Sequence, residues 1–268
     1  MVARTIADGF AVVRSEIQRL REHGIRAAIR AHPPIHAAAL ALDRARRRAF
    51  ESLGSDRYSH PALDDLDRKL AGYLPERDGI FVEAGAFDGY GGSNTYWFER
   101  FRGWTGVLIE PTPELAARAR KGRPRSQVFQ CALVPPQYRD DYVTLRYGGG
   151  MSVVAGAWNG DEEEQAHAHA GALKQGRETF LLEVPARVFS DVLDEASITQ
   201  IDLLSLDVEG FEAPALRGLD LTRHVPRFLL VEMLRESQAR PVIEAILGAR
   251  YRHEAQLSIR DHLYRRVV

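Results

Sequence analysis

The chain has 268 residues, of which 45% are hydrophobic and 27% charged, and its formal net charge is −1. This composition fits one α/β domain with an appendage, or at most two small domains, and excludes a disordered or fibrous chain. The near-zero charge provides no field that would attract nucleic acid, and the single cysteine excludes an internal disulfide framework. Because no apolar run is long enough to span a bilayer and the N-terminus lacks a secretory apolar core, we expect a cytoplasmic protein without stable membrane insertion.

The N-terminal segment differs in composition from the rest of the chain. Its first 54 residues hold ten Arg, no Lys and five acidic residues. Apolar residues recur near helical spacing across residues 15–32, which predicts helices packed on the following domain; a dimer-forming helix pair and a membrane-surface helix are the alternatives. We therefore assign residues 1–57 to an N-terminal helical extension and expect the run Arg46-Arg47-Arg48 on a solvated face.

From about Tyr73, short apolar segments alternate with segments of helical spacing. The predicted strands are Ile80–Ala84, Val107–Glu110, Val128–Gln130, Tyr142–Arg146, Leu181–Pro185, Leu203–Asp207 and Arg227–Glu232. The predicted helices are Thr95–Phe101, Pro113–Lys121, Phe189–Glu195, Ala213–Leu216 and Ala239–Leu247. This alternation predicts βαβ units and a largely parallel sheet, and residues 251–254 and 263–267 are expected to close it as an antiparallel hairpin.

The alternation breaks within residues 148–178. This segment begins with three glycines, continues to the acidic run Asp161–Glu164 and then contains His167 and His169. Long irregular segments inside a compact domain are commonly lids or binding loops, so we expect an irregular lid with exposed histidines here.

A glycine-rich turn follows the first predicted strand in the stretch FVEAGAFDGYGGSNTYW, residues 81–97. Glu83, Gly85 and Gly89 follow the spacing E-x-G-x-x-x-G. This spacing differs from the dinucleotide pattern G-x-G-x-x-G, and no lysine follows as in a P-loop. The next helix begins at Ser93-Asn94-Thr95, residues that leave backbone N–H groups free for a ligand carboxylate. A purely structural turn is the alternative.

Glu110 ends the second predicted strand, 21 residues beyond Gly89. An acid at this position can accept hydrogen bonds from both hydroxyls of a ribose. The glycine turn, the capped helix and the strand-end acid together predict a cofactor that contains adenosine.

Several blocks of the sequence resemble the FkbM-type S-adenosylmethionine-dependent methyltransferases. These blocks are FVEAGAFDGYGGSNTYWFE, GWTGVLIEPTPEL, VFQCAL, and IDLLSLDVEGFEAPALRGLD followed by RFLLVEM, and the resemblance extends from about Tyr58 to the C-terminus. It implies the Rossmann-like class I methyltransferase fold in residues 58–268, with a seven-stranded, mostly parallel sheet and helices on both faces. It also implies S-adenosylmethionine as the cofactor.

The same resemblance implies roles for individual residues. Glu83, Gly85 and Gly89 would line the methionine end of the cofactor, Glu110 would hold the ribose, and Cys131-Ala132 would lie at the adenine edge. The full set of predicted cofactor-binding residues is Glu83, Gly85, Ala86, Phe87, Asp88, Gly89, Ser93, Asn94, Thr95, Glu110, Pro111, Cys131 and Ala132.

Three further acids lie at predicted strand ends and are the candidate catalytic residues: Asp207, Glu209 and Glu232. Asp207 and Glu209, at positions i and i+2 of an extended segment, would point to the same side. They could remove the proton from a hydroxyl acceptor, or Asp207 and Glu209 could bind Mg²⁺ that orients and acidifies that hydroxyl. The alternative is that they only cap the following helix.

The predicted function is therefore O-methylation of a hydroxyl on a sugar-containing or polyketide-type small molecule. The alternatives are a nicotinamide-dependent oxidoreductase, which the glycine spacing disfavours, and a catalytically silent scaffold that uses its Arg-rich N-terminus for contacts. The expected partner is a small molecule with a hydroxyl group and not a nucleic acid, and a homodimer is compatible with the N-terminal helices.

Overall fold

The structure, a computed structural model, describes residues 33–74, 77–158, 160–198 and 200–267. The helical periodicity predicted over residues 15–32 lies outside this range. The α-helices in the described part are α1 (Pro33–Ser52), α2 (Leu66–Leu70), α3 (Tyr96–Arg102), α4 (Pro113–Gly122), α5 (Asp161–Lys174), α6 (Phe189–Glu195), α7 (Glu212–Arg217) and α8 (Glu236–Leu247). Short 3-10 helices span Leu63–Asp65, Gly149–Met151 and Gly248–Arg250.

The strands form two sheets. They are β1 (Ile80–Ala84), β2 (Thr105–Ile109), β3 (Ser126–Phe129), β4 (Ala132–Val134), β5 (Tyr142–Arg146), β6 (Val153–Val154), β7 (Leu181–Val188), β8 (Ile201–Leu206), β9 (Pro226–Glu232), β10 (Tyr251–Gln256) and β11 (Asp261–Arg266). The main sheet has the order β10-β11-β9-β8-β1-β2-β3, and β11 runs antiparallel to both of its neighbours while the remaining pairs are parallel. The predicted seven-stranded, mostly parallel sheet is confirmed, including the closing hairpin.

The register of the main sheet brings four strand ends to one edge. Ala84 at the end of β1 pairs with Ile109 of β2 and with Leu206 of β8, and Leu206 pairs with Val231 of β9. The residues that follow these pairs are therefore neighbours, and the carboxyl ends of parallel strands are where open α/β sheets bind ligands.

Helices cover both faces of the main sheet because alternate strand residues point to opposite faces. Val82, Leu204 and Leu229 face a core that α6, α7 and α8 complete. Phe81, Leu203 and Phe228 face a second core that α2, α3 and α4 complete. These side chains are at most 3% exposed, so the two cores hold the sheet between two helical layers.

The predicted strands Tyr142–Arg146 and Leu181–Pro185 lie outside the main sheet. β5 and β7 pair with each other in antiparallel fashion in a four-stranded sheet of order β4-β7-β5-β6. β5 alternates exposed and buried residues, the pattern of a strand with one solvated face, whereas β8 is almost continuously buried. That difference follows from the general behaviour of parallel and antiparallel sheets.

The segment 148–178 is also more regular than predicted, because it contains the 14-residue helix α5. Its first turn holds four acids, which interact favourably with the positive end of the helix dipole. One face is buried through Ala168 and Ala172. A Cβ atom on Gly171 would lie 2.1 Å from the Gly148 carbonyl oxygen, so the helix packs directly on the glycine turn that precedes it.

The solvated face predicted for Arg46-Arg47-Arg48 is wrong for its middle residue. Arg47 is only 9% exposed, and its guanidinium carbon lies 3.5 Å from the centre of the Tyr90 ring. Its neighbours in the run are exposed.

Among the helices of the described residues, none is long and apolar enough to cross a membrane.

Candidate active site

A cleft of about 650 Å³ lies at the edge where the strands of the main sheet end. Its polar walls come from residues directly after β1, β2 and β8, and its apolar walls come from residues around β4, β5 and β6. The lining residues include Gly85, Phe87, Glu110, Pro111, Cys131, Ala132, Leu133, Leu145, Gly149, Gly150, Ser152, Val154, Asp207, Val208 and Glu209. The small second sheet and the turn before α5 thus complete a site that the main sheet begins.

Two glycines shape the turn after β1. Gly85 has a φ of +87°, and a Cβ atom added there would lie 1.7 Å from the Asp207 carbonyl oxygen. Gly89 has a φ of +79°, and a Cβ atom there would lie 2.9 Å from the Cα atom of Ala119 in α4. Gly85 therefore allows β1 and β8 to end side by side at the cleft, whereas Gly89 allows the turn to pack against a helix.

Glu83 supports the glycine turn from within the protein. Its side chain is buried and does not line the cleft. One oxygen accepts hydrogen bonds from the hydroxyls of Ser93 (2.9 Å) and Thr95 (2.5 Å), and the other accepts one from the backbone N–H of Asn94 (2.8 Å). The carboxylate thereby fixes the start of α3 relative to β1.

Arg123, which the sequence analysis did not single out, joins the same network. It directly follows α4, is 1% exposed and donates to the Gly89 carbonyl (3.1 Å) and to the Thr95 hydroxyl (2.9 Å). Its Nε donates to Glu99 at 2.6 Å. A buried guanidinium with all of its partners inside the protein fixes their positions, so Arg123 is a positioning residue for the turn.

Glu110 lies in the cleft directly after β2. Its two carboxylate oxygens each accept one backbone hydrogen bond at 2.9 Å, from Phe87 and from Thr112. A carboxylate has about four acceptor positions, so each oxygen retains capacity for a ligand hydroxyl. Burial is the main reason that the pKa of Glu110 is raised to about 7.

The cleft wall beside Glu110 is apolar around Cys131. The thiol is 1% exposed, and burial raises its pKa to about 12, so it stays neutral. Pro111, Leu133 and Leu145 line the same region. These groups form an apolar surface beside the strand-end carboxylate Glu110, and such a surface suits the face of a planar ring.

Three acids converge on the other side of the cleft. One oxygen from each of Asp207, Glu209 and Glu232 lies within 4.8 Å of the others. Asp207 and Glu209 line the cleft, whereas Glu232 does not. Burial and the neighbouring carboxylates raise the pKa of Asp207, and burial raises that of Glu232. One oxygen each of Asp207 and Glu232 is buried without a hydrogen-bond partner.

The convergence arises from a turn and not from an extended segment as the i, i+2 argument assumed. β8 ends at Leu206, and Glu209 has a φ of +55°. Glu212 holds this turn, because its carboxylate accepts hydrogen bonds from the N–H groups of Val208 (3.1 Å) and Gly210 (2.9 Å). Glu212 therefore shapes the loop that presents Asp207 and Glu209 to the cleft.

Residues of segment 148–178 contact the acidic turn directly. His167 of α5 lies 2.8 Å from a Glu209 carboxylate oxygen, and the Trp158 indole N–H donates to the Glu209 carbonyl at 3.1 Å. His167 is partly buried, so the expectation that it is an exposed lid residue is wrong. His169 is exposed as expected.

The structure brings together only part of the predicted cofactor set. Gly85, Phe87, Glu110, Pro111, Cys131 and Ala132 line the cleft. The remaining predicted residues do not line the cleft: Glu83, Ala86, Asp88, Gly89, Ser93, Asn94 and Thr95. Asp88 accepts hydrogen bonds from the N–H groups of Tyr90 and Gly91.

Comparison with known families decides the assignment of this site. The family model described as the methyltransferase FkbM domain matches residues 83–263, which is more than half of the chain and includes every cleft residue named above. The chain belongs to the FkbM methyltransferase family. The match begins at Glu83, at the glycine turn, and ends at Leu263 within β11. No curated protein sequence matches this FkbM member.

Solved structures similar to this FkbM member are distant in sequence. A TehB-like SAM-dependent methyltransferase from Corynebacterium glutamicum is 13% identical with a TM-score of 0.41, over 87% of this chain and 100% of that one. Methyltransferase FkbM from Methylobacillus flagellatus is 17% identical with a TM-score of 0.45, over 81% of this chain and 52% of that one. The assignment to the family rests on the domain match.

Proposed function

We propose that the protein is an S-adenosylmethionine-dependent O-methyltransferase whose cofactor binds in the strand-end cleft. The observation that carries this proposal is Glu110, a buried carboxylate with free acceptor capacity beside an apolar wall. An adenosine group needs both features, because its ribose hydroxyls donate hydrogen bonds and its base is a flat, largely apolar surface. Membership of a methyltransferase family supports S-adenosylmethionine over other adenosine cofactors.

The residues of the cleft fit the parts of this cofactor in order. Pro111, Cys131 and Leu133 would contact the adenine, and Glu110 would bind the ribose hydroxyls. The turn at Gly85, which ends β1 directly beside Asp207, would contact the methionine portion. Glu83 and Arg123 would act through the turn that they stabilise.

When bound, S-adenosylmethionine supplies an electrophilic methyl group, and the protein must position the acceptor and remove its proton. Asp207 is suited to the second task because it lines the cleft and because its raised pKa makes it a stronger base than an exposed aspartate. Carboxylates beside the acceptor position favour a hydroxyl as the methylated group.

A Mg²⁺ ion held by Asp207 and Glu209, with Glu232 nearby, is the alternative role for these acids. Magnesium prefers oxygen ligands from one or two carboxylates, and the converging oxygens and unpartnered buried atoms of this cluster fit that preference. The bound ion would orient the acceptor hydroxyl and lower its pKa.

We further propose that the acceptor is a sugar-containing or polyketide-type small molecule. A second cavity of about 640 Å³ shares the acidic turn through Gly210 and is lined by Trp158, Arg235, Gln238 and Val242. An aromatic face with adjacent hydrogen-bonding groups suits a hydroxylated ring. Its position next to Glu209 would bring an acceptor from this cavity to the cofactor cleft.

Ligand-induced stabilisation tests the proposal. S-Adenosylhomocysteine, the expected product, should stabilise the native protein by about 2.7 kcal/mol when present at about 100 times its Kd. For a domain of this size, that corresponds to a rise in Tm of roughly 5–10 °C. NADH at the same concentration should leave Tm unchanged. A rise with NADH and none with S-adenosylhomocysteine would favour the oxidoreductase alternative and overturn the proposal.

A further inference from the structure

A basic cavity lies away from the cofactor cleft, between α1, α3 and the end of α4. Its cavity volume is about 310 Å³, at the lower end of the range of small-molecule sites, and it shares no lining residue with the cleft. Six of its lining residues are basic and two are acidic: Arg47, Arg48, Arg100, Lys121, Arg123 and Arg125, with Glu51 and Glu99. The cavity therefore has a strong excess of positive charge in a protein whose net charge is −1.

Both acids of this cavity are fully engaged with other groups. Glu51 accepts hydrogen bonds from the hydroxyls of Ser59 and Tyr96, both at 2.8 Å, and from Arg100 at 3.0 Å. Glu99 accepts hydrogen bonds from Arg123 and from the Ser126 hydroxyl. They consequently stabilise the walls of the cavity. Arg48 and Lys121 have no carboxylate partner among the described residues, whereas Arg47 forms a longer ion pair with Glu51.

Arg47 provides an independent indication that the cavity binds an anion. Its side chain is only 11% exposed, yet its Nε and Nη1 atoms have no hydrogen-bond partner among the described residues. The nearest carboxylate oxygen, on Glu51, is 3.7 Å from Nε, beyond hydrogen-bond distance. The guanidinium carbon lies 3.5 Å from the centre of the Tyr90 ring and 5.0 Å from that of the Tyr96 ring, which restricts its movement. Buried donors without partners are costly unless a ligand satisfies them.

The chemistry of these groups selects a phosphate group. A guanidinium presents parallel N–H donors that match two oxygens of a phosphate, and a dianionic phosphate suits several uncompensated cations better than a carboxylate does. Arg48 and Lys121 are exposed at the cavity and can approach a ligand without rearrangement of the core. Arg123 is excluded from the ligand set because its donors are engaged with the glycine turn.

We propose that this cavity is a second binding site, for a phosphate-bearing ligand held by Arg47, Arg48 and Lys121. The ligand would not occupy the cofactor cleft, because the two sites share no lining residue. The phosphate can belong to a soluble molecule or to a lipid headgroup, and the two sources differ in an experiment.

Calorimetric titration of the full chain with inorganic pyrophosphate tests the site, with potassium chloride held at matched ionic strength. The double variant Arg48→Ala/Lys121→Ala removes two exposed cations without opening the core and should bind at least about tenfold more weakly, the effect of losing one strong charge-assisted contact. Arg44→Ala, an exposed arginine of α1 outside the cavity, is the matched control and should bind like the wild type. Arg47→Lys keeps the charge but loses the paired donors, and should also weaken binding.

Co-sedimentation with phosphatidylcholine vesicles, with and without phosphatidic acid, identifies a lipid source. Binding that requires phosphatidic acid and is lost in the double variant would assign the site to a headgroup, whereas pyrophosphate binding alone would assign it to a soluble ligand. Absence of both, or equal losses in Arg44→Ala and the double variant, would overturn the proposal. Competition between pyrophosphate and S-adenosylhomocysteine would also overturn it, because the phosphate would then occupy the cofactor cleft.

Discussion

The buried carboxyl of Glu110 predicts that affinity for the cofactor product falls as the pH is lowered. Its pKa is raised to about 7, chiefly by burial. Only the ionised carboxylate can accept ribose hydroxyls on both oxygens while it keeps its hydrogen bonds from Phe87 and Thr112. Binding should therefore require ionisation of Glu110 and release a proton when the pH is below 7.

The size of the effect follows from this pKa. Each pH unit below the pKa weakens binding to the ionised carboxylate by 1.36 kcal/mol, which is a factor of ten in Kd. With a pKa of about 7, the Kd for S-adenosylhomocysteine should rise roughly tenfold between pH 8 and pH 6, and tenfold again at pH 5. The stability of the ligand-free protein depends on pH in the opposite direction. Because the pKa of Glu110 is raised in the folded state, the neutral carboxyl stabilises the fold at low pH, and this stabilisation is lost as the pH rises through about 7.

Isothermal titration calorimetry across this pH range measures both the affinity and the released proton. In Glu110→Gln the pH profile should become nearly flat, and binding at pH 8 should weaken by about 1–3 kcal/mol through loss of the charge-assisted hydrogen bonds. Asp140→Asn, which replaces an exposed acid before β5, should keep the wild-type slope. A flat wild-type profile, or an unchanged slope in Glu110→Gln, would refute the role of Glu110.

Three further perturbations address the turn, the acids and the segment 148–178. Gly85→Ala should lower the free energy of unfolding by more than about 3 kcal/mol in urea denaturation. The control Gly92→Ala, at a similar φ of +73° but with no neighbour within 4 Å, should lower it by only about 1 kcal/mol. Equal losses in the two variants would contradict the close approach of Gly85 to the end of β8. Asp207→Asn should weaken calorimetric Mg²⁺ binding at least about tenfold if the acids hold the ion, and unchanged Mg²⁺ affinity would exclude Asp207 as a ligand. His167→Ala should raise amide exchange in α5 about fivefold to tenfold by removing the contact to Glu209, and unchanged exchange would show that this contact does not hold the helix.

Local sequence patterns were sufficient where neighbouring residues determine the structure. The bounds of β1, β5 and α6 match their predictions, because each is a short apolar or alternating segment flanked by turn residues. The convergence of Gly85, Glu110 and Asp207 also followed from the sequence, since strand ends of a parallel sheet lie at one edge.

Features that depend on distant contacts could not be predicted in this way. Arg123 and Glu83 meet through residues far apart in the sequence, so neither the buried network nor the role of Arg123 has a local signature. α5 was missed because its acidic start and Ala-rich body have little helical amphipathicity. Its contacts are with distant residues, including the ion pair between Glu164 and Arg146 of β5. The sheet membership of β5 is likewise set by pairing with β7.

The most direct test of the central claim is a crystal structure of the protein with S-adenosylhomocysteine. We expect the ribose hydroxyls on the Glu110 carboxylate, the adenine against Cys131 and Leu133, and the sulfur side of the ligand toward Asp207. Density for the ligand elsewhere on the protein, or a ribose without contact to Glu110 in a fully occupied cleft, would contradict it.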